Sequence, residues 1–507
     1  MTKTNGASAG TSARLTRSAR SVRKRMRDGT LVSLAGSVVS KIVGALTAIT
    51  IARLLGPTDL GVYAILASVM SVATVAAGFS LKSAVVKYTA ELSSTHPESI
   101  PQLYETAWTL SVFGGVTCAG VLFLVAPWLA NEVFRLAQLR DLVWIASLSL
   151  IISAPAIPIW ASLQGFQQFG QLNARAIALS AMNAAVVIPA VVLWGLRGVA
   201  ISFPLVSMLS LWMNWRLGRR LFSEYQFTLR LRPSRVWVRK IMGYSLPAFG
   251  AALVAAPAFA VANSLLALNA GFTQLGLFLA AASLSDYLLF LPSTISISMV
   301  PIVSELSENQ PARAAKVVTA TMRLSLLATT FFSFALMVFG GPTIQLLYGP
   351  SYLGASAVFA LLVPAMFFAT IAHVVGFQLS GLGKTILDFE FTVVWMTAFM
   401  GTGWILIPRY GLEGLALSYL VSYVVYAGVS LGYAHFRLGV SVKRLRAIAL
   451  LGIASLPIGA AAPTFLSDTF FLYTTGVLGL AAISITGFLL LDPLERDSMR
   501  VWRRVFQ

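Results

Sequence analysis

The sequence has few charged residues, one cysteine and three histidines, and each shortage excludes a class of protein. Charged residues make up 11% of the 507 positions and hydrophobic residues 57%, whereas an average soluble domain has roughly 25% charged residues. The single cysteine, Cys118, excludes an intramolecular disulfide framework and a thiolate metal cluster. His96, His373 and His435 share no ligand spacing, so we expect neither a metal site nor a cofactor. The composition predicts a polytopic membrane protein.

Acidic residues are scarce relative to basic ones: 18 Asp and Glu stand against 37 Lys and Arg, a net charge of +19. Such an excess in a soluble protein would suggest nucleic-acid binding. In a membrane protein, basic residues in cytoplasmic loops set the orientation, so we expect no nucleic-acid partner. Residues 1–30 carry a basic residue at about every third position from Arg14 to Arg27. We expect a cytoplasmic tail that contacts anionic lipid headgroups.

Apolar segments of about the length that crosses a bilayer recur along the whole chain. With the N-terminus inside, the cytoplasmic segments and the cytoplasmic ends of the spans hold 31 of the 37 basic residues, as the positive-inside rule requires. The sequence therefore predicts a multi-pass protein of the plasma membrane with both termini cytoplasmic. The fourteen predicted spans are 31–51, 60–80, 104–126, 141–161, 174–195, 198–217, 244–268, 275–300, 318–340, 354–378, 389–408, 411–435, 447–466 and 470–491.

The chain also repeats itself at an offset of 214–216 residues. Gly56-x3-Leu60-Gly61 recurs as Gly271-x3-Leu275-Gly276, and the turn at 195–200 recurs at 411–416. A duplicated unit of six spans predicts two pseudo-symmetric six-helix lobes in the same orientation, followed by two additional C-terminal helices. The predicted parts are a basic tail (1–30), an N-lobe (31–217), a basic linker (218–243), a C-lobe (244–435), spans 13 and 14 (436–491) and a cytoplasmic tail (492–507).

Several segments resemble a known family. They are Lys41 followed by ARLLGPTDLGVYAI (52–65), LYGPSYLGASAVFALL (347–362), LSGLGKT (379–385) and IPRYGLEGLALSYL (407–420). Together they resemble the polysaccharide-biosynthesis flippases of the multidrug/oligosaccharidyl-lipid/polysaccharide exporter superfamily. The resemblance covers about residues 30–435. It implies an all-α integral membrane fold of that superfamily's multidrug-exporter type, and movement of a polyprenyl-diphosphate glycan from the cytoplasmic to the outer leaflet.

Two charges lie deep within predicted spans. Lys41 is near the middle of span 1, where a lysine costs roughly 2.5–3.5 kcal/mol on insertion scales, so such residues usually face a cavity or a partner. We interpret Lys41 as a contact for substrate phosphate. Asp286, in span 8, is interpreted as a counter-charge that offsets Lys41 or couples an ion. The alternatives are a lysine that extends to the membrane edge or pairs with a carbonyl, and an aspartate that is hydrogen-bonded for packing.

Other polar residues receive weaker assignments. Arg323, early in span 9, is a candidate substrate contact or an arginine that extends to the cytoplasmic edge. Arg175 and Lys384 flank cytoplasmic turns and are interpreted as topology signals. A glutamine cluster is read as a polar loop, with sugar binding as the alternative: Gln164, Gln167, Gln168 and Gln171.

Three other functions compete with the flippase interpretation. A cation-coupled drug or metabolite exporter of the same superfamily is disfavoured because span 1 carries a lysine in place of an acid. A membrane enzyme is disfavoured because the predicted outer loops, 127–140 and 341–353, are short and have no paired acids. A non-transporting scaffold for glycan assembly would not need intramembrane charges. Spans 13 and 14 are candidates for docking a glycan polymerase or ligase.

Overall fold

The computed structural model describes residues 6–166, 168–224, 231–465 and 469–490, and in these ranges the chain is helical with short turns. The predicted C-terminal tail (492–507), Gln167 and residues 225–230 of the basic linker lie outside the described residues, as do the arginine side chains of the N-terminal tail. Long apolar runs produce this architecture, because a helix satisfies every backbone hydrogen bond within one segment and can therefore cross a membrane.

The α-helices of the described residues follow one another with few irregular connections. Three 3₁₀ turns (Pro97–Ser99, Tyr287–Leu289 and Pro350–Ala355) and one π-helical turn (Leu129–Val133) interrupt them. The helices are α1 (Gly6–Gly78), α2 (Leu81–Thr95), α3 (Ile100–Trp128), α4 (Gln138–Ser153), α5 (Ala156–Gly165), α6 (Phe169–Glu224), α7 (Arg235–Ala270), α8 (Phe272–Asp286), α9 (Phe290–Asn309), α10 (Pro311–Tyr348), α11 (Ser356–Gly381), α12 (Thr385–Leu438), α13 (Val442–Phe465) and α14 (Thr469–Leu490).

Within the described residues, seven helical stretches are long and apolar enough to cross a membrane, or eight if the bent pair α4 and α5 forms one span. The angle between α4 and α5 is 43°. The chain is therefore an all-helical, multi-pass membrane protein, as the composition predicts. These stretches do not correspond one to one to the fourteen predicted spans, because the longest helices each cover two of them.

The glycines of the sequence repeat adopt matching backbone conformations. Gly56 has φ 75° and ψ 171°, and its counterpart Gly271 has φ 88° and ψ 163°. Gly195 has φ 53° and ψ −130°, and its counterpart Gly411 has φ 53° and ψ −123°. These φ values favour glycine because a Cβ atom is strained there. Both copies of the repeat therefore make the same turns at the same places, and three of these turns interrupt α1, α6 and α12.

The described residues form two compact units. Unit 1 contains the chain up to Thr50 and the segment Ala73–Phe249. Its core cluster comes from α2, α3, α5 and the start of α7, and it consists of Leu81, Ala84, Val85, Leu92, Ile100, Leu103, Tyr104, Ala107, Ala161, Trp237 and Ile241.

Unit 2 contains the segment Ile51–Val72 and the chain from Gly250 onward. The early segment joins this unit through specific contacts: the Tyr352 hydroxyl donates to the Ala52 carbonyl over 2.6 Å, and Asn263 Nδ2 donates to Ser68 Oγ over 2.9 Å. The two C-terminal helices also pack here. A Cβ atom at Gly479 of α14 would lie 2.4 Å from the ring of Phe334 on α10, so the glycine allows the close approach.

Candidate functional site

Lys41 lies on α1 within unit 1, and its side chain is exposed on the protein surface. Because the side chain is exposed, the ammonium group is accessible, which its predicted role as a phosphate contact requires. Further along α1, Thr47 Oγ1 donates to the Val43 carbonyl over 2.7 Å.

Asp286 is the last residue of α8, at the point where a 3₁₀ turn, Tyr287–Leu289, interrupts predicted span 8. Its side chain is exposed. The carboxylate lies close enough to Tyr419 and Tyr423 of α12 for an electrostatic interaction. A break in a helix inside a span brings backbone groups and side chains to a cavity in many transporters.

An aromatic cluster surrounds this part of unit 2. Trp395 stacks on Phe399 with ring centroids 5.3 Å apart and an interplanar angle of 5°. Tyr419 meets Phe399 edge-on at 5.0 Å. Such pairs rigidify a wall built from α7, α8 and α12. The members of the cluster are Phe259, Phe278, Trp395, Phe399, Tyr419 and Tyr423.

Arg323 does not occupy the position expected of an arginine that extends to the cytoplasmic edge. Its side chain on α10 is only 4% exposed, so it does not extend to a water-accessible edge. Hydroxyl-bearing residues on the same helix are also buried, among them Thr319, Ser325 and Thr329. The guanidinium is held inside unit 2 in this conformation, and its contact with substrate remains a prediction.

Unit 1 contains a site that the sequence analysis did not assign. The Lys82 ammonium lies 3.8 Å from the ring centroid of Trp160, and the Arg175 guanidinium lies 5.8 Å from the same centroid. The two cationic groups are therefore within about 10 Å of each other. Arg175 Nη2 donates a hydrogen bond to Ser210 Oγ over 3.3 Å. Among the described residues, neither cation has a carboxylate at ion-pair distance.

Three helices bring these residues together. Phe79 and Ser80 have φ of 42° and 51°, and this break redirects the chain from α1 into α2, where Lys82 lies in the first turn. The helix α5 carries Trp160 and approaches α2 closely, because a Cβ at Gly165 would lie 2.6 Å from Thr89. The three residues are far apart in the sequence, so the cluster is not evident there, although Lys82 follows predicted span 2 and Trp160 and Arg175 lie at the cytoplasmic ends of predicted spans 4 and 5.

Several polar atoms beside this site have unmet hydrogen-bonding capacity. Arg175 Nε and Gln164 Oε1 are buried and have no partner among the described residues. Gln164 belongs to helix α5, one turn after Trp160, and does not lie in a loop as predicted. Asn214, one turn after Ser210, is fully buried, and both of its amide atoms are also without partners in the part of the chain that the structure describes. An unmet buried polar group costs roughly 1–3 kcal/mol, so a ligand that supplies partners would be stabilised.

Three other cations in the described part of unit 1 also lie over aromatic rings, but none of these rings carries a second cation. Lys240 lies 4.8 Å from the Trp237 ring, Lys87 lies 4.3 Å from the Tyr244 ring, and Arg216 lies 5.6 Å from the Trp212 ring. These three cations are exposed. They provide matched controls for the Lys82–Trp160–Arg175 site.

Unit 2 has an open cavity of about 620 Å³ that contains none of the predicted site residues. The Arg53 guanidinium donates to the Leu346 carbonyl at its wall. The other lining residues come from the end of α10 and the start of α14, and they are Phe339, Pro342, Thr343, Gln345 and Tyr473.

Comparison with known proteins identifies the family. Residues 50–357 match the family described as polysaccharide biosynthesis protein. The chain belongs to this family. The resemblance inferred from the sequence motifs is therefore confirmed. The chain is 24% identical over 423 residues to the lipid III flippase of Escherichia coli (strain K12), covering 77% of this chain and 92% of that protein. It is 24% identical over 375 residues to stage V sporulation protein B of Bacillus subtilis (strain 168), covering 66% and 69%.

Solved structures share the fold. The lipid II flippase MurJ in an inward closed conformation superposes with a TM-score of 0.71 at 14% identity, covering 90% of this chain and 98% of MurJ. An inward-facing multidrug resistance transporter of the MATE family superposes with a TM-score of 0.62 at 14% identity, covering 81% and 98%. The chain thus shares its fold with both transporters.

Proposed function

We propose that this protein is a flippase that moves a lipid-linked oligosaccharide or polysaccharide precursor, carried on a polyprenyl diphosphate, from the cytoplasmic to the outer leaflet. Membership of the polysaccharide biosynthesis family and the named flippases among its relatives support this activity. The observation that carries it is the pair of cations, Lys82 and Arg175, held around Trp160 with no carboxylate at ion-pair distance among the described residues. That arrangement favours an anionic substrate over a cationic drug.

The finer architecture is part of the proposal. Helices α1, α6 and α12 have 73, 56 and 54 residues, whereas about 20 residues cross a bilayer. Each contains one non-helical glycine at a predicted turn: Gly56, Gly195 and Gly411. If each of these helices crosses twice, and α4–α5 and α8–α9 cross once each, the chain has fourteen spans in two six-helix lobes plus α13 and α14.

Contacts within each unit support the proposed topology. In unit 1, residues predicted to lie in or next to cytoplasmic segments meet. The Ser234 amide donates to Thr106 Oγ1, at the cytoplasmic end of predicted span 3, over 3.1 Å, and the Tyr88 hydroxyl donates to the Lys240 carbonyl over 3.3 Å. In unit 2, segments predicted to be outside meet through Tyr352 and Ala52. Both termini would then be cytoplasmic, and the protein would lie in the plasma membrane.

The mechanism follows from the cost of moving charge. Burial of an ionised phosphate in hydrocarbon costs tens of kcal/mol by a Born estimate, so the headgroup needs a polar path while the lipid tail stays in the bilayer. We propose that the lobes alternate in access, that Lys41 contacts the phosphate near the membrane centre, and that Asp286 offsets Lys41 or couples an ion. Arg323 is proposed to reach the substrate in another conformation. No bond is made or broken in this cycle.

A liposome assay tests the function. The purified full chain is reconstituted with a fluorescent polyprenyl-diphosphate oligosaccharide, and exposure of the headgroup to an impermeant quencher is followed. Wild type should translocate the lipid, and Lys41→Ala should lower the rate at least about tenfold, as expected for a lost charge-assisted hydrogen bond. Lys316→Ala, which removes an exposed lysine of α10, is the control and should keep the wild-type rate.

The same preparation discriminates the alternatives. An exporter would move cationic drugs under a proton or sodium gradient and leave the lipid in place. A scaffold would move neither, yet would retain a glycan polymerase or ligase in a pull-down. Either result with folded wild type would contradict the flippase proposal.

A further inference from the structure

We propose that the Lys82–Trp160–Arg175 site binds the sugar phosphate of the lipid-linked substrate. The inference rests on the proposed function and names a second substrate contact in addition to Lys41. The site is built from three helices of unit 1: α2 carries Lys82, α5 carries Trp160, and α6 carries Arg175.

The positive charges of Lys82 and Arg175 favour a phosphate as the ligand. Lys82 and Arg175 share one indole ring, and their positive charge is not neutralised by an ion pair within the described residues. A guanidinium and an ammonium together match the several oxygens of a phosphate or diphosphate. Arg175 is oriented by its hydrogen bond to Ser210, while its buried Nε still lacks an acceptor. A phosphate oxygen would provide that acceptor.

The side-chain amide of Gln164, next to the cations, favours a ligand that carries a hydroxyl group. Gln164 Oε1 is a buried acceptor with no donor in the described part of the chain. It lies four residues after Trp160 on the same helix, and positions at this spacing share one face. A phosphate has no donor to offer at neutral pH, whereas the sugar attached to it carries hydroxyls. The half-buried indole of Trp160 gives this sugar an apolar surface. Cations, amide acceptor and indole together fit a glycosyl phosphate.

The second copy of the repeat lacks the equivalent side chains. At the offset of 216, Trp160 corresponds to Gly376 and Arg175 to Phe391, and at the offset of 214 or 215 that applies earlier in the repeat, Lys82 corresponds to Ser296 or Ile297. The environment at Gly376 carries the opposite charge, because a Cβ there would lie 2.7 Å from Asp388 Oδ1. This chain therefore places cations in one copy and a carboxylate in the other. The arrangement of two cations around a tryptophan occurs in the first copy and not at the matching positions of the second.

Titration calorimetry on the full chain in nanodiscs tests the site with three soluble probes: inorganic pyrophosphate, farnesyl diphosphate and farnesyl-diphospho-hexose. We expect wild type to bind farnesyl-diphospho-hexose. Lys82→Ala/Arg175→Ala should weaken its binding at least about 30-fold, as expected for lost charge-assisted hydrogen bonds. Arg216→Ala and Lys240→Ala, which remove exposed cations over other tryptophans, should bind as wild type does.

A second variant separates the sugar from the phosphate. Gln164→Met keeps the side-chain length and removes the acceptor. It should weaken farnesyl-diphospho-hexose about fivefold and leave farnesyl diphosphate unchanged, since a neutral hydrogen bond contributes about 1 kcal/mol. Lys82→Arg should restore most of the affinity lost in Lys82→Ala, which verifies that the variants fold.

The outcomes that overturn the proposal are distinct from those that overturn the function. Binding of the double variant within twofold of wild type, or displacement of the probe by phosphatidylglycerol at equal concentration, would each reject the sugar-phosphate site. If wild type flips the lipid and the double variant flips it equally fast, the site is wrong and the function stands. If wild type binds the probe at this site but flips no lipid, the function is wrong and the site stands.

Discussion

The hydroxyls of Thr58 and Thr273 lie 2.8 Å apart, although 215 residues separate them in the sequence. The same offset relates the two copies of the repeat, so each threonine contacts its own counterpart. The glycines beside them make a reciprocal pair of contacts: a Cβ at Gly61 would lie 1.8 Å from the Phe272 carbonyl oxygen, and a Cβ at Gly276 would lie 1.8 Å from the Pro57 carbonyl oxygen. Reciprocal contacts of this kind are those of a two-fold axis.

A disulfide between these positions should lock the contact. In a Cys118→Ser background, Thr58→Cys/Thr273→Cys should form a disulfide under mild oxidation, since the two side chains already meet. If alternating access opens this end of the molecule, the oxidised protein should flip lipid at least about tenfold more slowly than the reduced protein, and reductant should restore the rate. The single variant Thr58→Cys, oxidised in the same way, controls for the reagent. An unchanged rate after complete crosslinking would show that this contact stays closed throughout transport.

The reciprocal glycines should be equally intolerant of a methyl group. Gly61→Ala and Gly276→Ala each force a Cβ into a carbonyl oxygen, so each should lower the free energy of unfolding by about 1–3 kcal/mol, the usual cost of overpacking. Thermal unfolding in detergent measures the effect. Gly428→Ala on α12 is the matched control, because nothing lies within 4 Å of its Cβ position. A large difference between the two repeat glycines would contradict the symmetry of the contact.

The Tyr352 hydroxyl should contribute to stability through the early segment of unit 2. Tyr352 is fully buried and donates to the Ala52 carbonyl over 2.6 Å, so Tyr352→Phe leaves a buried acceptor unpaired. We expect a loss of about 1–3 kcal/mol in thermal unfolding. Tyr410→Phe, at a position that is 56% exposed, should change stability little. If both variants unfold alike, Tyr352 does not hold this segment.

Asp286 should be required for transport without being required for folding. Its carboxylate is exposed at the break between α8 and the following turn, so Asp286→Asn preserves shape while removing charge. We expect the flipping rate to fall at least about tenfold in the liposome assay, with thermal unfolding unchanged. Glu305→Gln, at an exposed position of α9, is the charge-matched control. Normal transport by Asp286→Asn would remove both the counter-charge and the ion-coupling role.

Much of the fold could be predicted because the signals are local in the sequence. The all-helical, multi-pass character follows from apolar runs, and the turns at Gly56, Gly195 and Gly411 follow from glycines that recur in the repeat. The family follows from short motifs in a fixed order. The roles of Lys41, Asp286 and Arg323 remain predictions, since each depends on what the side chain meets during transport.

The Lys82–Trp160–Arg175 site could not be predicted in the same way. Its two cations and its tryptophan belong to three different helices. Considered alone, each polar residue has an ordinary explanation: Arg175 resembles a topology signal, and the neighbouring Gln164 resembles a loop residue. The burial of Arg323 could likewise not be predicted from the sequence, because a basic residue near the end of a span usually reaches water.

The sequence by itself determined that the chain is a helical membrane protein with repeated motifs and a net positive charge, because hydropathy, charge and repetition can be read directly from the order of residues. The tertiary structure alone decided that Ile51–Val72 packs within unit 2 and that two cations share the ring of Trp160. Both outcomes depend on which helices approach closely. Close approach is set by glycines such as Gly61 and Gly165 together with the residues they meet far along the chain.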